Sequence, residues 1–175
     1  MATTFTLEHN FPDIPVEVFE AHLNHPDLIK ALDKMPAFRS RDLVSKKENG
    51  DGSTTWRFKV VAGGDVPPAV RKVLSEEMLT WHEDTRFVPA EHTIHWTITP
   101  LAAQAQKLLE SHGIWKLIPA GKGTRRVIEG NITVKVPLLG KVVEQYLASE
   151  LKRNYDVEPD IQRTFYKKMM AAAAG

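Results

Sequence analysis

The segment VKVPLLGKVVEQYLASEL, Val134 to Leu151, changes character in its middle. Val134 and Val136 alternate with Lys135 as in a half-buried strand, and Leu139, Val143, Tyr146, Leu147 and Leu151 then recur at helical spacing. Between them Pro137 removes a ladder donor and Gly140 permits a sharp reversal. The stripe continues through Tyr155, Ile161 and Phe165, which predicts a helix to about Lys168. At ~1.5 Å per residue it spans roughly 40 Å, with Pro159 expected to kink or interrupt it. Lys141, Glu144, Gln145, Glu150 and Lys152 break the apolar run, so this helix lies on a partner surface and does not enter a bilayer.

The rest of the chain supplies that surface. Phe5, Leu7, His9 and Phe11 alternate with polar residues over positions 3–11, predicting a first strand. Val16, Phe19 and Leu23 mark a short helix, and Pro26 opens a second through Leu28, Ile29 and Leu32. NGDG at 49–52 separates two extended runs, a hairpin signal. In the second run Trp56, Phe58 and Val60 share a face. GGDVPPAVRKVL predicts a turn and about two helical turns. EMLTWHEDTRFV and EHTIHWTIT follow as strands, with Leu79, Trp81 and Phe87 on one face of the first and His92, Ile94, Trp96 and Ile98 on one face of the second. Composition favours a short helix over 101–110, against the strand or loop that the order of elements suggests. The last hairpin places Ile128, Ile132, Val134 and Val136 together.

This order predicts an α+β fold, a curved antiparallel sheet of six or seven strands around one long C-terminal helix, with two short helices after the first strand. Residues 1–170 read as one domain and 171–175 as a frayed tail. A curved sheet gripping one helix leaves space between the two, suited to a small apolar ligand.

Composition narrows the partners. A net charge of +1 from 23 basic and 22 acidic residues gives no reason to expect nucleic acid. No cysteine is present, which excludes disulfides, thiolate metal sites and a cysteine nucleophile. The N-terminus shows no signal peptide and no window spans a membrane, so the cytoplasm is the expected location. His22 and His25 are separated by the break at Pro26, and His92 and His95 point to opposite strand faces. No metal site and no cofactor are expected, and no serine sits in a nucleophile elbow.

The element order resembles the START/Bet v 1-like (SRPBCC, helix-grip) superfamily. The passage Gly123, Thr124, Val134, Val136, Pro137, Leu138, Gly140 and Glu144 resembles the "G-T … V-x-V-P-L-x-G … E" pattern of an uncharacterised, mainly bacterial branch of it. Phe11, Pro15, Val18 and Phe19 match that branch's N-terminal pattern. The resemblance implies binding of lipids, sterols, polyketides or other hydrophobic molecules; some members are cyclases, aromatases, dehydratases or hydrolases.

The expected ligand contacts are Trp56, Phe58, Trp81, His92, Trp96, Ile132, Val143, Tyr146 and Leu147. A carrier of a hydrophobic small molecule or lipid is the leading reading. A cyclase, hydratase or hydrolase is the alternative, with His9, His92 and Glu83 as candidate acid–base residues. It requires at least two of these in one cavity. Arg126, in phase with Ile128, is a further polar residue on an apolar face. A protein-interaction module, using the outer face of the long helix or Lys167 and Lys168, is the third reading.

Overall fold

The structure, a computed structural model, describes every residue except 1, 34, 65 and 73. Residues 65 and 73 fall in the segment read above as a turn and helix and, like residue 34, lie outside the described residues. Strand β1 (Thr3–Phe11) leads into α1 (Val16–Ala21) and α2 (Pro26–Leu32), as the two short apolar stripes predict. Pro26 takes the first helical position of α2, and the His25 ring accepts a hydrogen bond from the Asp27 amide at 3.2 Å. Strands β2 (Phe38–Glu48) and β3 (Thr54–Ala62) form the NGDG hairpin. The left-handed residue there is Gly52, at φ 82°.

A short α3 (Pro68–Arg71) and a 3-10 turn precede β4 (Thr80–Val88). After β5 (Thr93–Pro100) comes α4 (Ala103–Leu108), the helix that composition favoured. Strands β6 (Leu109–Ala120) and β7 (Gly123–Val134) complete the sheet, and α5 (Gly140–Ala173) closes the chain. Among the described residues the sheet has seven strands in the order β1-β7-β6-β5-β4-β3-β2, every pair antiparallel. This is the helix-grip α+β arrangement. Helix α5 is assigned without a break through Pro159 and reaches three residues into the tail expected to fray.

The strand-to-helix junction works differently from its reading in the sequence. The residue forced into the left-handed region is Leu138, at φ 65°, whereas Gly140 has no positive φ. Gly140 is required for close approach instead. A Cβ at this position would lie 2.3 Å from the Val134 carbonyl oxygen, far inside contact distance. The motif glutamate then fastens the helix to the sheet. Glu144 accepts from the Val134 amide at 2.9 Å and from the Thr3 hydroxyl at 2.8 Å, with Lys141 at 3.5 Å. Burial alone would raise its pKa; these donors and the lysine charge hold it below the usual carboxylate range.

Two apolar clusters fill the interior. One joins Phe11, Phe19, Leu28, Leu32, Trp56, Phe165 and Tyr166, with Phe19 and Tyr166 ring centroids 4.7 Å apart. The other gathers Val70, Leu74, Ile132, Val134 and Val143 where α3 meets the start of α5. Among the described residues no helix is long and apolar enough to cross a membrane.

Candidate functional site

Members or satellites of both clusters line a cavity of about 190 Å³ between the sheet and α5. An engineered apolar cavity of roughly 150 Å³ holds benzene, so this space suits a molecule of one or two rings. The sheet contributes Trp56, Trp81, Trp96, Ile94, Ile98 and Ile132; α5 contributes Tyr146, Leu147, Leu151 and Tyr155. Leu28, Leu32 and Met35 close it from α2 and the segment that follows.

Three inward tryptophans can fill such a space with their own bulk. Trp96 does not, for a reason that lies in two glycines. Gly113 and Gly130 face each other across β6 and β7, and Gly113 also pairs with Trp96 on β5. A Cβ on Gly113 would meet Trp96 Cζ2 at 2.5 Å and the Glu129 carbonyl oxygen at 2.3 Å. A Cβ on Gly130 would meet the same Trp96 carbon at 2.7 Å and Phe5 at 2.6 Å. The indole therefore lies down across the bare backbone of β6 and β7, stacked near Phe5 at 6.3 Å. Volume that a side chain on either glycine would take from it is left to the cavity.

One charged pair sits in the wall. Arg41 donates to Glu83 at 2.7 Å, and its guanidinium carbon lies 3.5 Å from the Phe58 ring centroid. Arg41 and Glu83 line the cavity. Phe58 does not, because it is fully buried beneath the guanidinium.

A second polar group forms the end of the cavity nearer the C-terminus. Asn154, Glu158, Gln162 and Tyr166 succeed one another four residues apart on α5, all buried and all on the lining. Behind them is Arg126 of β7, fully buried. It donates to Glu158 and to Gln162, each at 2.9 Å, and to His9 Nδ1 at 3.2 Å. Its guanidinium carbon lies 4.6 Å from the Trp115 ring centroid. Gln162 also donates to the other Glu158 oxygen at 3.2 Å. Burial pushes the Tyr155 and Tyr166 hydroxyls well above the ordinary phenol range, so both stay neutral.

Burial and the Arg126 charge lower the His9 pKa from 6.5 to about 4. The folded protein thus holds His9 neutral where the unfolded chain would take a proton. Its contribution to stability is complete above pH 6.5 and is lost as pH falls through about 4. A His9→Gln variant is expected to unfold with a shallower dependence on pH across that window. An unchanged slope in urea titrations would contradict the half-buried placement beside Arg126.

Three residues expected in the cavity are elsewhere. Besides Phe58, Val143 points into the second cluster, fully buried, and Tyr146 and Leu147 one turn later form the helical wall. His92 lies outside because it adopts φ 54° just before β5, which breaks the strand alternation assumed for it. Its ring is bonded to Glu20 at 2.6 Å. Trp56, Trp81, Trp96, Ile132, Tyr146 and Leu147 do come together. Of the acid–base candidates, Glu83 alone lines the cavity; His9 packs against Arg126 and His92 against Glu20. The converging Glu–His pair needed for the enzyme reading is therefore not formed.

The sequence reading passed over Arg41, Asn154, Glu158 and Gln162 as lining residues. The α5 trio carried a signal, since 147, 151, 154, 158 and 162 fall on one helical face. Arg41, beside exposed polar residues on an edge strand, carried none.

Polar atoms in this wall are incompletely paired. Among the described residues, Arg41 Nη1, Trp81 Nε1, Thr85 Oγ1, Trp96 Nε1 and the Tyr166 hydroxyl are buried without a hydrogen-bond partner, and all five residues line the cavity. Each such group costs about 1–3 kcal/mol relative to a satisfied one.

The family model "Protein of unknown function (DUF2505)" matches residues 6–165. The chain belongs to that family. No curated protein matches it. Among solved structures, the Zhui aromatase/cyclase from a Streptomyces species is similar at TM-score 0.67 and 14% identity, over 100% of this chain and 99% of that one. A Thermus thermophilus protein is similar at TM-score 0.62 and 17% identity, over 97% and 99%. Norcoclaurine synthase from Thalictrum flavum, a point mutant in complex with a transition-state analogue, reaches TM-score 0.58 and 18% identity, over 95% and 98%. The fold is thus the Bet v 1-like, SRPBCC one.

Proposed function

We propose that this protein binds a hydrophobic small molecule in the cavity between its sheet and α5, as a carrier, transfer or sensing protein. The observation that supports this most directly is the cavity itself, about 190 Å³ with a lining dominated by aromatic and aliphatic side chains. The glycine pair under Trp96 supports it further, because a chain selected only for core density would fill that space. Neighbours of the same fold include an aromatase/cyclase and a synthase. Among the described residues no Glu–His pair lines this cavity, so binding without acid–base chemistry is the reading its side chains favour.

Leu147 forms part of the helical wall and is only half-buried, so a larger side chain there can project into the cavity. The two-ring fluorophore 1-aminonaphthalene, neutral at pH 7 and within the one or two rings that the cavity suits, is expected to bind the wild type at one site, with a blue-shifted emission. Leu147→Trp should weaken that binding by at least about tenfold, through occupied volume, while the melting temperature holds. Equal binding by both proteins would place the probe elsewhere, and no binding by the wild type would overturn the proposal.

A further inference from the structure

Resting on that reading, the wall chemistry also constrains the ligand. Among the described residues, the carboxylates on the lining are Glu83, Glu150 and Glu158, and each already faces a guanidinium. Arg41 lies 2.7 Å from Glu83, Arg153 lies 2.9 Å from Glu150, and Arg126 lies 2.9 Å from Glu158. Among the described residues the lining includes no lysine or histidine, and its one arginine is the Arg41 of the first pair. A charged ligand head entering this space would meet no free counter-charge and would lose its hydration, an unfavourable exchange.

Two neutral amide acceptors on the α5 wall are committed as well. Asn154 Oδ1 accepts from the Ala37 amide, and Gln162 Oε1 from Arg126. The unpaired atoms have the opposite character. The Trp81 and Trp96 indoles and the Arg41 Nη1 group only donate, and the Thr85 and Tyr166 hydroxyls are able to donate. An acceptor reaches these atoms by displacing whatever wall atoms cover them, since water-sized contact is closed to them.

We propose that the cavity selects an uncharged ligand whose apolar body carries hydrogen-bond acceptors, such as ketone, quinone or ester carbonyl oxygens, over acids, amines and plain hydrocarbons. The shared chemistry is the carbonyl, whether on a fused ring or on an acyl lipid. Titration calorimetry with a matched set tests it: tetralin, α-tetralone, tetralin carboxylate and aminotetralin, with octane and methyl octanoate as the acyl pair. At least one carbonyl compound is expected to bind about tenfold tighter than its hydrocarbon parent, the value of one added hydrogen bond. The acid and the amine should bind more weakly than the ketone. Whichever carbonyl compound binds tighter identifies ring or acyl chain as the source.

Thr85→Val, Trp81→Phe and Trp96→Phe each delete one donor and keep most of the shape. At least one should reduce the carbonyl-to-hydrocarbon ratio several-fold, while retained hydrocarbon binding reports that the cavity has kept its form. A hydrocarbon that binds as well as its carbonyl partner overturns this inference and leaves the binding reading intact. So does tightest binding by the acid or amine, or a ratio unchanged in all three variants. No binding by any of the six compounds overturns both.

Discussion

Replacing Glu158 by alanine is expected to lower the unfolding free energy by about 3–5 kcal/mol, the usual consequence of stranding one member of a buried ion pair. Arg126 is fully buried, and Glu158 supplies its only carboxylate contact at 2.9 Å among the described residues. Without it the guanidinium keeps Gln162 and the His9 nitrogen, which are neutral and do not offset the charge. The double variant Arg126→Met with Glu158→Leu should recover most of the loss, because it removes both charges and restores apolar packing. Urea denaturation of the wild type, the single variant and the double variant decides the matter. A single-variant cost below about 1 kcal/mol is what a solvated surface pair would show, and it would mean that Arg126 is not desolvated as the structure places it.

The second large effect concerns Gly113. In most strands, glycine to alanine is neutral or stabilising, since glycine brings backbone entropy and no packing. Here the sign is expected to reverse. The new Cβ would sit 2.3 Å from a carbonyl oxygen and 2.5 Å from the Trp96 indole, and the backbone contact cannot be relieved by a rotamer change. Overpacking of this kind costs about 1–3 kcal/mol. The displaced indole has to move toward the cavity, so Gly113→Ala should also weaken ligand binding more than its stability loss alone explains. Thermal unfolding together with the fluorophore titration separates the two. A stabilised Gly113→Ala with normal binding would refute the account of how the cavity is kept open.

The sheet and its helices were legible because each rests on a local pattern. Alternation along 3–11 and across Trp56, Phe58 and Val60 needs no knowledge of distant residues, and neither does the stripe from Leu139 to Phe165. Over 101–110 composition and the order of elements pull in opposite directions, and only the fold decides for the short α4. Half-legible was the site. Trp56, Trp81, Trp96 and Ile132 were read as inward and line the cavity, but inward-facing is not the same as cavity-facing. Phe58 and Val143 point inward as expected and are covered by neighbours, Arg41 in the first case and the α3 cluster in the second. His92 was misread for a different cause. A single left-handed residue resets the phase of a strand, and histidine gives little warning of it.

The amino-acid sequence by itself determined which segments are strands, where the two short helices open, and that one long amphipathic helix must lie against a sheet. Those outcomes follow from spacings of two and 3.6 residues, read over a few positions at a time. What only the tertiary structure decided is whether the space under that helix stays open and what lines it. Gly113 and Gly130 are 17 residues apart in sequence, and Trp96 lies a further 17 residues before Gly113, yet together they set the cavity's floor. Arg126 and Glu158 are 32 positions apart and complete one charge pair at its end. Packing volume and charge compensation are properties of groups brought together from distant parts of the chain, so no local pattern encodes them. Val134 to Leu151 shows the division within a single stretch. Its spacing announced a strand turning into a helix, but only the fold revealed that Leu138 makes the turn, Gly140 permits contact with Val134, and Glu144 ties the joint.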